Sequence, residues 1–86
     1  MDLIYDILWF EDRGCAIKVK YPDYRADQTI LISNNKESII CSISLVIMSR
    51  NMESKETDYN ILLFLNDITK DDIINNKISK GMFIIK

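Results

Sequence analysis

The sequence predicts an α+β fold: a mostly antiparallel sheet of about five to six strands, with one C-terminal helix over about 69–80 packed on it. Three observations carry this. From Cys15 to Tyr21 the chain alternates, with Cys15, Ile17, Val19 and Tyr21 on one face and Ala16, Lys18 and Lys20 on the other. The densest apolar run, Ser38 to Met48, is rich in β-branched residues. Thr69 with Asp72 three residues later has the pattern of a capping box.

The elements follow in order. Leu3 to Phe10 is apolar apart from Asp6. As a strand it puts Leu3, Tyr5, Ile7 and Trp9 on one face and Ile4, Asp6, Leu8 and Phe10 on the other, as in a central strand covered on both sides. Helical spacing also fits this short run, but its aromatic and Ile content favours strand. Glu11-Asp12-Arg13-Gly14 reads as a four-residue turn, with Gly14 free to adopt positive φ. Pro22 ends the next strand, so 22–27 is a polar loop. Thr29 to Ser33 is a short strand and Asn34 to Glu37 a turn.

For Ser38 to Met48, strand geometry places Ile39, Cys41, Ile43, Leu45 and Ile47 on one face. The rival is a second helix over 35–50, since Ile39, Ile40, Ile43, Val46 and Ile47 also have helical spacing, and Asn34 with Glu37 resembles a capping box. Arg50 to Asp58 is a polar connection, and Tyr59 to Leu65 is a strand almost continuous in apolar residues. In the helix that follows, Ile68 and Ile73 form a hydrophobic staple, and Ile74 and Ile78 face the sheet. Gly81 supplies the stop. Met82 to Ile85 is the last strand, and strand–helix–strand here predicts a parallel, right-handed crossover.

Eighty-six residues make one domain, 1–86, which buries only about 60% of the surface its unfolded chain exposes. Cys15 and Cys41 are too few for a disulfide framework and lie in apolar runs, as buried thiols of a reducing cytoplasm do. The N-terminus is acidic where a signal peptide is basic. The longest apolar segment falls short of the ~18–20 residues that span a bilayer. No membrane association is expected, and the expected address is cytoplasmic. Isoleucine and asparagine are heavily used and Lys is preferred to Arg, the bias of AT-rich coding, common in phage, plasmid and accessory bacterial genes.

Composition excludes much chemistry. With no His, the Ser-His-Asp and Cys-His arrangements are unavailable. There is no Cys-x-x-Cys for zinc, and the two Gly residues are too far apart for a phosphate-cradling loop. No catalytic residue, cofactor or metal is expected. Asp71-Asp72 reads as a charged first helical turn. Asp6 reads as a strand-face carboxylate near Lys18 or Lys20, although a four-residue turn would set it opposite Val19.

What remains is binding. Trp9, Glu11 and Asp12 form an acidic patch at the hairpin, and Tyr24 and Arg25 form a recognition loop with Tyr21 and Pro22, residue types enriched at hot spots. The expected function is a small non-enzymatic inhibitor that binds another protein, such as an immunity or antitoxin protein or a phage inhibitor of host defence. Its net charge of −2 would suit a basic target. The alternatives are a β-rich nucleic-acid binder using Arg13, Lys18, Lys20 and Trp9, or an oligomeric structural subunit, for example a homodimer.

Overall fold

The computed structural model describes residues 2–20, 23–50 and 59–85. Tyr21, Pro22 and most of the polar connection before Tyr59 lie outside them. The strands are β1 (Asp2–Leu3), β2 (Asp6–Phe10), β3 (Gly14–Val19), β4 (Thr29–Ser33), β5 (Ser38–Arg50), β6 (Tyr59–Leu65) and β7 (Phe83–Ile85), with one helix, α1 (Lys70–Ile74). They form one seven-stranded sheet in the order β1-β7-β4-β5-β6-β3-β2, with every neighbouring pair antiparallel.

The first and last strands of that order are consecutive in the chain, separated by Ile4 and Tyr5 alone. The Ile4 N–H donates to the Met82 carbonyl at one edge, and the Tyr5 N–H donates to the Lys18 carbonyl at the other, each at 2.9 Å. The sheet is therefore rolled into a half-barrel. Strand β5 joins its two halves, pairing with β4 over Ser38–Ser42 and with β6 beyond Ile43.

Both long strands change face once, at corresponding corners. In β5 the register shifts between Ile43 and Leu45, so Ile43 and Val46 both point inward while Ser44 and Leu45 are both exposed. In the N-terminal strand Ile4 and Ile7 both face the core while Tyr5 and Asp6 are both exposed. One extra residue turns each strand from one half of the sheet to the other. Strict alternation is thus corrected: Leu3 and Tyr5 do not share the face of Ile7 and Trp9, and Leu45 and Ile47 do not share the face of Cys41 and Ile43.

The core fills the inside of the roll. Cys15, Ile17 and Val19 of β3, Ile30 and Ile32 of β4, Cys41 and Ile43 of β5, and Ile61, Leu63 and Leu65 of β6 are all buried in it. Ile68, Ile78 and Met82 close one end, and Tyr24 enters near the other. Fully burying an Ile side chain is worth roughly 1.5–3 kcal/mol, so a dozen such residues dominate stability.

The α+β expectation is overturned. The helix is five residues long, not 69–80, and the strands number seven. Its start is as predicted: the Asp72 N–H donates to Thr69 Oγ1 at 3.2 Å and the Thr69 N–H to Asp72 Oδ2 at 2.9 Å. Its end comes early because Asn76 adopts the left-handed conformation, φ 58°. The Asn76 N–H then donates to the Ile73 carbonyl and the Lys77 N–H to the Asp72 carbonyl, the two bonds of a Schellman stop. Asn tolerates this φ better than most side-chain-bearing residues. Ile74 is consequently 65% exposed rather than packed on the sheet, whereas Ile78 is buried.

The parallel crossover is also corrected. Strand β7 pairs antiparallel with β4 and β1 and never meets β6. The second-helix alternative over 35–50 fails too, because that run is β5. The Asn34 signal was real but served a turn: Asn34 Oδ1 accepts from the Lys36 and Glu37 N–H groups at 2.8 and 2.6 Å, and this closes the β4–β5 hairpin. At the first hairpin the turn has three residues, 11–13, since Gly14 at φ 85° already pairs with Phe10. That shorter turn sets Asp6 opposite Lys18.

Removing the cap by Thr69→Ala should cost about 1 kcal/mol in urea unfolding at neutral pH. The Asp72 carboxyl is held below its usual range, first by the Thr69 backbone N–H and then by the Thr69 hydroxyl and nearby Lys77. A lowered folded pKa means that its contribution is full above the ordinary carboxylate range and is lost as pH falls through the lowered value. The stability gap between the protein and its Asp72→Asn variant should therefore close in acid.

Candidate binding surface

Antiparallel pairing throughout the sheet fixes which loops share an end. The 11–13 turn, the 34–37 turn and the segment from Asn66 to Met82 lie at one end, where Lys70 Nζ stands 3.6 Å from Glu11 Oε1. The start of β1 and residues 23–28 lie towards the other, where the Tyr24 hydroxyl donates to Asp2 Oδ2. The two candidate patches lie at opposite ends: Trp9, Glu11 and Asp12 at one, Tyr24 and Arg25 at the other.

Their exposure separates them further. Glu11, Asp12 and Arg25 are exposed. Trp9 points inward and packs on the core, and its indole N–H is buried with no acceptor among the described residues. Tyr24 is 5% exposed, so the loop tyrosine serves as an end plug and not as a protruding contact. Its hydroxyl pKa is raised, first by burial and then by the Asp2 carboxylate that accepts its proton. The basic platform does not assemble either, because Trp9 faces in while Lys18 faces out beside Asp6.

The cysteines offer no exposed nucleophile. Burial pushes Cys15 up to about 12 and Cys41 to about 11, with the neighbouring thiol adding to the rise at Cys15. Among the described residues no group of His, Cys, Asp or Glu could hold a metal ion. No helix is long and apolar enough to cross a membrane.

What the fold does present is an apolar outer wall. On the outside of β2, β3, β6 and β5, one cross-strand row runs Leu8–Ala16–Phe64–Leu45. A second runs Asp6–Lys18–Leu62–Ile47. Leu45 and Ile47 are 39% and 38% exposed, and Phe10 beside them 36%. Gly14 has no side chain to intervene, and Phe10 leans toward Phe64 with ring centroids 5.4 Å apart. The Arg13 guanidinium lies 6.0 Å from the Phe64 ring centre, a cation–π arrangement at the rim. The wall is therefore an apolar floor flanked by Arg13, Lys18 and Asp6.

Sequence reasoning missed Phe10, Leu45 and Ile47 as surface residues and Leu62 as half-exposed, although their signal was visible. β2, β5 and β6 are apolar on both faces, which implied a second covering layer. The centre of the outer face is nonetheless covered, with Ala16 0% and Phe64 4% exposed, so its exposed apolar residues are Phe10, Leu45 and Ile47.

Tyr24→Phe should destabilise the protein by about 1–2 kcal/mol, because Asp2 loses a buried donor. Both thiols of the folded protein should resist a thiol reagent at pH 8 and react only on unfolding. No protein-family model, no curated protein and no solved structure matches this chain.

Proposed function

We propose that the protein is a small, non-enzymatic cytoplasmic inhibitor that acts by binding another protein, in the manner of an immunity or antitoxin protein or a phage inhibitor of host defence. The outer wall around Phe10, Phe64, Leu45 and Ile47 carries this reading. It is a contiguous apolar sheet face with charge only at its rim, the anatomy of a protein interface with an apolar centre and polar edge. Exposed Phe10, packed on the buried Phe64 ring with Arg13 beside it, supplies an aromatic residue and an arginine, types enriched at interfaces. The net charge of −2, with Glu11 and Asp12 exposed near the wall, favours a basic partner such as a nuclease-like toxin. Both thiols are buried with raised pKa values, which fits a binding role better than covalent catalysis. The nucleic-acid alternative draws little from the geometry, since Lys18 stands against Asp6 and away from Trp9.

Expression of the tagged protein in its native host should capture one stoichiometric protein partner with sub-micromolar affinity, weakened by salt. Ile47→Lys, at the exposed end of the wall, should weaken that complex by roughly thirtyfold or more, in line with a hot-spot loss of about 2 kcal/mol. Glu11→Lys should act chiefly on the association rate. A captured partner whose affinity is indifferent to Ile47→Lys and Phe10→Ala would rule out this wall as the site.

A further inference from the structure

The other half of the sheet has an outer face of different character. On β1, β7, β4 and the first part of β5, one cross-strand row is Ile40–Leu31–Ile85. Phe83 lies beside it, paired with Leu3 on β1. Ile40 is 69% exposed, Phe83 41% and Ile85 39%, values typical of surface rather than core. The remaining outward positions are Thr29, Ser33, Ser38 and Ser42. The Ser33 and Ser38 hydroxyls lie 3.1 Å apart across the strands, and Asn66 Nδ2 donates to Ser42 Oγ at 3.0 Å. No outward position of this face carries a charge, in a chain of which 28% is charged.

We propose that this face is where two copies of the chain pair. The argument is one of charge. A two-fold interface sets a surface against itself, so any uncompensated charge there meets its own kind. The wall around Phe64 has Lys18, Arg13 and Asp6 at its margin and suits a different protein. The face around Leu31 has uncharged outward strand positions and an apolar centre, so it can meet a copy of itself without like-charge contact there. Its short hydroxyl side chains let two sheets approach without stranding a buried charge.

Size sets the strength. β4 and the first part of β5 contribute five residues each, β7 three and β1 two, and at about 3.4 Å by 4.8 Å per residue these give a footprint of roughly 250 Å². This lies just below the ~300–600 Å² of the largest patches that monomers expose and often use. It falls below the ~800 Å² per partner of a standard stable interface. The dimer is accordingly weak and concentration-dependent, with both copies' Phe64 walls left free.

Sedimentation equilibrium of the full chain from low to high micromolar concentration tests this. The average mass should rise from 10.1 kDa toward twice that value. Ile40→Lys should raise the dimer dissociation constant at least about tenfold, with an unchanged far-UV spectrum showing that it still folds. Ile47→Lys, on the other wall, should leave self-association intact. A chain that stays monomeric throughout, or an oligomer indifferent to Ile40→Lys, overturns the proposal. Neither result bears on partner capture, which Ile47→Lys reports separately.

Discussion

The half-barrel depends on two strands each changing face once. Without the extra residue at Tyr5–Asp6 and at Ser44–Leu45, Ile4 could not point inward together with Ile7, nor Ile43 together with Val46. A regular strand has period two, so a core spread over two inclined half-sheets needs a phase shift wherever a strand passes from one to the other. Everything else follows from that constraint. The corners let two edge segments of one continuous strand cover both ends of the sheet order, and they let β5 serve β4 and β6 in turn. They also decide which isoleucines and leucines are core and which are surface.

The second constraint is material. Among the described residues, what accompanies the seven strands and their hairpin turns is one five-residue helix and the segments 23–28 and 66–82. These go to the ends of the roll. Ile68, Ile78 and Met82 close one end and Tyr24 plugs the other, while apolar residues such as Phe10, Ile40, Leu45 and Ile47 stay exposed on the outer faces. The exposed apolar residues on the two outer faces differ in their charged surroundings. Arg13, Lys18 and Asp6 stand beside those of one face, while the outward strand positions of the other carry no charge. Polar groups are placed economically in the same scheme: Asp72 is spent on a helix cap, Asn34 on a turn, and Asp2 on the tyrosine plug.

Local structure was legible wherever a short-range rule suffices. Thr69 and Asp72 announce a helix start because their bonds are made within three residues. Gly14 announces a turn because positive φ costs a glycine nothing sterically, and Cys15 to Val19 announces a strand by alternation within five residues. The helix end was misread because Asn75-Asn76 is a weaker stop signal than Gly81, and the Schellman bonds formed one turn sooner. The 23–25 loop was open for the opposite reason. Tyr24 lies in a polar stretch and can be read as a contact or as folded back on the sheet, and its ring is drawn in by a core and a carboxylate twenty-two residues away in sequence.

By itself the sequence determined that the chain is β-rich, that residues 9–15 turn back as a hairpin, that Thr69 starts a helical turn, and that chemistry requiring histidine is unavailable. These follow from residue identity and from interactions within a few positions. Only the tertiary structure decided that Trp9 and Tyr24 are core, that Phe10, Leu45 and Ile40 are surface, and that the candidate loops lie at opposite ends. An apolar residue carries no mark of the face it will take. In strands apolar on both sides, the choice is made by the corner that shifts the register and by the amount of chain left to form a cover.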